Sequence, residues 1–405
     1  MTQQAALADV KVLDLMWVIA GPSATRVMAD YGATIVRVES QTRVETARTI
    51  GPFRDGVSGP ETSGAFDNYN AGKLGLTLDL STGEARDVVR DLVRWADIVA
   101  ESFSPRAMRA WDLDYDSLRA IKPDIIMLST CLFGQSGPLS TMAGFGTMGS
   151  AIAGFANLAG SPDRAPVGPF GAYTDYLAPR FSLAALLAAL DHRNRTGEGV
   201  YIDQAQAESA MHFMSTALLD YEVNGRNAER NDNRDAQMAP HGAFPASGED
   251  SWVALAARNE EEWRRLCAAM GQPQLASDDR FATLDDRKEH EDELESIVAA
   301  WTVGQEALEV EVALQALGVP AHVVLDAAGA NADPQLRHRR QFVEVEHPVH
   351  GTTVVEGSRS VLSRTPASVT RNAPTFGRDN EHVLKEILGY DDDRVMELVI
   401  AGALE

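Results

Sequence analysis

The chain has 405 residues, with 36 Lys+Arg against 59 Asp+Glu and a formal net charge of −23. Its 44% hydrophobic and 23% charged residues are ordinary globular usage, and the length allows two or three domains. A surface this acidic repels phosphate backbones and anionic lipid, which excludes nucleic acid and membrane surfaces as first choices of partner. An anionic ligand must then find a local basic pocket. Two cysteines, Cys131 and Cys267, cannot build a disulfide framework. Residues 1–10 lack a signal-peptide pattern, and the apolar runs are too short or too interrupted to span a bilayer. A cytoplasmic location is expected.

The first 130 residues alternate strand and helix patterns. Residues 10–15 form a β-rich run, and after Gly21-Pro22 the apolar residues Ala24, Val27, Met28 and Tyr31 fall at helical spacing. Strands are expected at 34–39, 74–80, 97–101 and 124–129. The spacing Ser81-Thr-Gly-Glu84 predicts a capping box opening an amphipathic helix to about Trp95. Strands separated by helices of this length imply a parallel sheet with right-handed crossovers. Residues 134–171 are rich in Gly, Pro, Ser and Ala, composing loops that pack closely against backbone or ligand. An apolar helix follows at 181–190, a strand at 200–203 and a helix at 205–219. The polar stretch 224–234 reads as a linker. Residues 240–330 form a smaller α/β unit, with Trp252 and Trp263 expected in its core. A β-like tail (343–362) and a closing helix near 382–388 end the chain. The expected division is a large domain at 1–224, a small domain with linkers at 225–335, and a return segment at 336–405.

Several chemistries can be set aside. Gly72-Lys73 is followed by Leu74, so no P-loop is present. The nine histidines have no metal-type spacing, and no metal is expected. Gly134-Gln-Ser-Gly137 lacks the spacing of a nucleophile elbow. Gly144-Phe-Gly146-Thr-Met-Gly149 satisfies a dinucleotide fingerprint literally, but it does not directly follow the first strand of a βαβ unit. The more informative segment is Pro169-Phe-Gly-Ala-Tyr173-Thr-Asp175-Tyr176-Leu-Ala-Pro-Arg180. Asp175 there has two readings. One is an N-cap whose carboxylate accepts backbone N–H bonds. The other is a carboxylate nucleophile exposed to a pocket lined by glycine backbone.

Val12-Leu-Asp14-Leu, Ala20-Gly-Pro22, Met28-Ala-Asp30-Tyr-Gly-Ala33 and Val38-Glu39 resemble the opening of the class III CoA-transferase family. The likeness continues through Asn70, Lys73, Leu78-Asp79, Glu101-Ser-Phe-Ser-Pro105, Gly134 to Pro138, Arg193 to Gly199, Gly318-Val-Pro-Ala321 and Gly377 to Leu384. The resemblance implies a Rossmann-like large domain, a small domain and two chains interlocked as threaded rings, with a homologous second subunit as the alternative partner. It implies CoA transfer between carboxylic acids, with no permanently bound cofactor and the coenzyme A thioester as substrate. Asp175 matches the family's nucleophile, which would carry first an acyl anhydride and then a CoA thioester. By matching position, Trp17, Val18, Ile19, Ala20, Phe103 and Ala107 would hold adenine and pantetheine. Arg37, Arg43, Lys73, Arg106 and Arg109 would meet the phosphates. Two departures matter: Ser40 and Ala110 stand where formyl-type members carry Arg. Gly134, Gln135, Gly144, Gly146, Tyr173, Tyr176 and His241 are the expected substrate-pocket residues. The same fold hosts α-methylacyl-CoA racemases, but residues 143–146 lack the histidine those enzymes need. The wording of residues 127–132 and 174–180 leans toward branches using succinyl-CoA with dicarboxylic or aromatic acids.

Overall fold

The computed structural model describes residues 5–405, which fall into two compact units. The first comprises residues up to Ala156, Gly168–Asn227 and Pro334–Glu405; the second comprises Asn157–Val167 and Ala228–Asp333.

Six strands build the main sheet of the first unit: β1 (Lys11–Leu15), β2 (Thr34–Glu39), β3 (Leu74–Thr77), β4 (Ile98–Glu101), β5 (Ile126–Cys131) and β6 (Tyr201–Ala205). All pairings are parallel, in the order β3-β2-β1-β4-β5-β6. The helices in chain order are α1 (Ala20–Asp30), α2 (Gly64–Asn70), α3 (Gly83–Trp95), α4 (Pro105–Ala110), α5 (Tyr115–Ile121), α6 (Gly146–Ile152), α7 (Phe155–Leu158) and α8 (Tyr173–Thr196). One sheet face packs Leu13, Val36, Leu76, Val99 and Met127 against Val88, Val89 and Leu92 of α3. The other packs Val12, Ile35, Ile98 and Ile126 against Met28 of α1 and Leu186 of α8. With both faces covered, the strands read as near-continuous apolar runs. A polar residue inside one, such as Asp14 or Arg37, must then be paired within the protein.

Local signals misplace some boundaries. The cap of α3 is Thr82, whose hydroxyl accepts from Ala85 N–H, so the helix starts one residue later than the expected Ser81 box. β3 stops at Thr77 instead of 80. The expected helix at 205–219 is interrupted by a 3₁₀ turn at 212–214, between a helix at 206–211 and a ten-residue helix at 215–224. The tail is a hairpin, β10 (Phe342–His347) with β11 (Gly351–Glu356), and beyond the helical turn at His382–Ile387 a further helix covers Asp392–Ile400.

The second unit carries an antiparallel sheet of β7 (His241–Pro245), β8 (Trp252–Ala256) and β9 (Ala321–Val323). Trp263 is fully buried there among Phe281, Leu266 and Leu294. Trp252, expected in the same core, sits at a strand end with its indole N–H on Asp250. Among the described residues, no helix is long and apolar enough to cross a membrane.

Candidate active site

Where the strand order reverses, between β1 and β4, the carboxyl ends of the strands leave the crevice in which open α/β sheets bind ligands. A cleft of about 330 Å³ lies there, lined by Trp17, Val18 and Ala20 after β1, Ser102, Phe103 and Ser104 after β4, and Cys131 and Leu132 at the end of β5. The loop 140–145, Thr46, Gln206 and Asp175 complete it.

Asp175 is not an N-cap. The helix begins at Tyr173 with Ala172 as its uncapped entry, so Asp175 lies inside the first turn. Its own N–H bonds Ala172 C=O at 2.8 Å. Among the described residues its carboxylate has neither hydrogen-bond nor ion-pair partner, although it is only 5% exposed. Burial alone pushes its pKa up to about 7. A carboxylate so desolvated is a better nucleophile than one in water, because no hydration shell must be stripped before attack.

Its position is set from two sides. Gly146 and Gly149 of α6 face it: a Cβ on Gly146 would lie 2.7 Å from Asp175 Oδ1, and one on Gly149 would lie 2.8 Å from Thr174 Oγ1. The Thr174 hydroxyl donates to Gly146 C=O at 3.2 Å. Behind it, Pro179 sits inside α8 and has no N–H to give the Asp175 carbonyl four residues back. Gln204 from β6 donates to Ala178 C=O at 2.9 Å and ties this turn to the sheet. Gly146→Ala is therefore expected to lower kcat about 100-fold by displacing the carboxylate, with the fold retained; steady-state rates beside a thermal melt check it.

The structure brings Trp17, Val18, Ala20, Phe103, Gly144 and Asp175 into this cleft, with Gly146 against the carboxylate and Ile19 at the entry of α1. The Arg43 guanidinium stands over the Trp17 ring at 5.7 Å. Arg109 and Gln135 line a neighbouring cavity with Glu101, Tyr115, Tyr201 and Asp203. Gly134 turns against Asp203, while Arg106 and Ala107 lie on α4. Tyr173 packs edge-on to Phe155 at 5.2 Å, and Tyr176 lies close to Tyr69. His241 belongs to the second unit, in β7, with its ring on Asn233 C=O.

Two residues expected to meet the phosphates lie in the core. Arg37 and Lys73 are fully buried. Arg37 pairs with Glu45 and donates to Met16 C=O at 2.7 Å. Lys73 Nζ bonds Asp14 at 2.8 Å, Pro22 C=O at 3.0 Å and Asn70 at 3.0 Å. Neither side chain reaches the surface in this chain.

Sequence reading missed Thr46, Cys131, Gln206 and Tyr69. Burial pushes the Cys131 thiol above its usual range and keeps it protonated. Away from the cleft, Asp67, His347 and His350 cluster, with His347 Nε2 3.6 Å from Asp67 Oδ1. His347 Nδ1 accepts from the N–H groups of Val349 and His350, which leaves the proton on Nε2, facing Asp67. That tautomer suits a hydrogen bond and opposes metal ligation.

A doubly wound α/β body with, among the described residues, an unpaired carboxylate in its switch-point crevice has the build of an enzyme. The model of CoA-transferase family III matches residues 7–380, and the chain belongs to that family, as a class III CoA-transferase. It is 34% identical over 387 residues to succinyl-CoA–D-citramalate CoA-transferase of Chloroflexus aurantiacus, covering 96% of this chain and 95% of that one. It is 32% identical over 396 residues to the beta subunit of succinyl-CoA–L-malate CoA-transferase from the same organism, covering 97% and 96%. A CaiB/BaiF family protein from Brucella suis superposes with a TM-score of 0.87 at 29% identity, covering 95% of this chain and 100% of that one.

Proposed function

We propose that this chain moves CoA from an acyl-CoA donor, succinyl-CoA foremost, to a carboxylic acid through two covalent forms of Asp175. The carboxylate attacks the thioester carbonyl; the C–S bond breaks, CoA leaves as thiolate, and Asp175 is held as the mixed anhydride. The thiolate attacks the aspartyl carbonyl, expelling the donor acid as carboxylate and leaving an aspartyl-CoA thioester. The acceptor carboxylate then attacks that thioester; its C–S bond breaks, the CoA thiolate leaves again, and an acyl–aspartyl anhydride is formed. The thiolate finally takes the acceptor acyl group and frees Asp175. Each form is activated, so the chain of exchanges needs no ATP. The observation that carries this reading is the desolvated, partnerless Asp175 carboxylate on the switch-point cleft. Succinyl-CoA is favoured as donor because the two curated relatives described above are named for it.

Arg43, Arg106 and Arg109, all solvent-exposed, are the cations left to meet the CoA phosphates once Arg37 and Lys73 are accounted for. The protein works as an interlocked homodimer in this reading. The relative named as a beta subunit keeps a homologous second chain as the alternative. Racemisation is disfavoured because α-proton exchange needs a second acid/base, and the lining offers Asp175 with only the protonated Cys131 beside it.

The test is mass spectrometry of the protein after incubation with succinyl-CoA, with and without hydroxylamine, and peptide mapping of the trapped residue. A hydroxamate on Asp175 is expected; turnover without any adduct at that residue would defeat the mechanism. The pH profile provides a second check. Attack requires the ionised carboxyl, so kcat/KM should rise about tenfold per unit below pH 7 and level above it. An acid limb near pH 4 would show that burial does not govern Asp175 in solution.

A further inference from the structure

The cleft wall formed by residues 16–19 has a conformation its own sequence does not favour. Val18 lies at φ +68°, in the left-handed region that a β-branched side chain enters only under compulsion. Residues held there are over-determined by their surroundings, and such outliers cluster at functional sites. The compulsion is visible. The Val18 N–H donates to Glu45 Oε1 at 2.7 Å, the Trp17 N–H to Ser102 Oγ at 2.9 Å, and the Met16 carbonyl accepts from Arg37 Nη1 at 2.7 Å. Glu45 and Arg37 are paired with each other, both without exposed side-chain surface. Glu45 Oε1 also accepts the Ala47 N–H at 3.0 Å, closing the turn that presents Thr46 to the same cleft. One buried ion pair thus holds two walls of the cleft.

Stability does not explain such a pair. Buried ion pairs are often matched or bettered by apolar residues of similar volume, because desolvation cancels most of the attraction. What apolar residues could not do is accept a hydrogen bond from the Val18 N–H and donate one to the Met16 carbonyl two residues before it.

We propose that Glu45 and Arg37 are positioning residues for transfer at Asp175, holding Val18 in its left-handed conformation so that the cleft presents the thioester to the carboxylate. This rests on the covalent transfer mechanism above. Attack requires the reacting atoms about 3–3.5 Å apart, and a misplacement of about 1 Å costs roughly 100-fold in rate. Losing the pair should therefore slow the acyl-transfer step more than it weakens binding.

The experiment compares wild type, Glu45→Gln, Arg37→Lys and the double variant Glu45→Gln/Val18→Gly. Rates are read in the steady state and in a single turnover that follows the adduct on Asp175. In Glu45→Gln, kcat and adduct formation should fall about 10- to 100-fold, with KM for acyl-CoA within about threefold of wild type. Adding Val18→Gly should restore most of the lost rate, because glycine occupies φ near +68° unaided. A purely structural pair would give additive losses instead. Arg37→Lys covers the case in which Glu45→Gln does not fold: it keeps the charge beside Glu45 but lacks the fork that also reaches Met16, and should lower kcat similarly. Unchanged kcat in either folded single variant, or no rescue by glycine, overturns the proposal while leaving the Asp175 mechanism standing. An absent adduct in wild type removes that mechanism itself.

Discussion

Asp175→Asn is expected to lower turnover about 10³-fold or more, about 4 kcal/mol of barrier, while acyl-CoA still binds. Asparagine matches the carboxyl in shape and keeps the first turn of α8 intact, but it cannot form an anhydride or a thioester. Nothing nearby is placed to replace it. The cleft's other reactive side chain, Cys131, is held protonated by burial, and the remaining polar lining is serine, threonine and Gln206. The measurement is steady-state CoA transfer with succinyl-CoA and a panel of acceptor acids, beside intact-protein mass spectrometry. The variant should show no adduct while its KM, read from residual activity, or its CoA affinity by calorimetry stays within a few-fold of wild type. A variant within tenfold of wild-type turnover, or an adduct mapped to Cys131, would dismiss Asp175 from the reaction.

How much of this was legible beforehand differs by residue. The parallel sheet followed from strand and helix alternation, because period-2 and period-3.6 patterns are local. The two readings of Asp175 could not be separated by local pattern, since both place a carboxylate near a helix start after a glycine loop. Geometry bears on the first of them: helix entry at Ala172 puts Asp175 inside the first turn, and the entry carries no side-chain cap. The burial of Arg37 and Lys73 was not legible in the sequence, for an instructive reason. Arg37 lies within the Thr34–Glu39 strand, and a strand covered on both faces has no solvent side to which a guanidinium can point. Its partner, Glu45, lies eight residues on in an irregular loop, where no periodicity marks it. Thr46, Cys131 and Gln206 were missed because the cleft draws single residues from the ends of several strands, which the chain order scatters across 160 residues and only the sheet order brings together.

The same Asp175→Asn substitution should make the protein more stable above neutral pH, and the sign follows from linkage. Folding raises the Asp175 pKa from its ordinary 3.8 to about 7 by desolvation, with no cation to compensate. Below pH 3.8 the group is protonated in both folded and unfolded chains and costs nothing. Between 3.8 and about 7 the unfolded chain gives up its proton while the folded one retains it, so stability falls with rising pH by about 1.4 kcal/mol per unit. Above about pH 7 the penalty levels at about 4 kcal/mol, an upper bound because local opening and water entry relieve part of it. Asparagine never ionises and escapes this penalty, though its amide donors carry a smaller desolvation cost of their own. Glu101 and Asp30, also raised by burial to about 7 and about 6, load the fold in the same direction but are common to both proteins and cancel in the comparison. Thermal melts of the two proteins at pH 8 should differ by several degrees in favour of the variant, and the gap should close toward pH 4. Activity and stability would then move oppositely at one position, as expected when a fold holds a reactive group at its own expense. Equal melting temperatures at pH 8 would mean that Asp175 is hydrated or paired in solution, and the case for its nucleophilicity would fall with them.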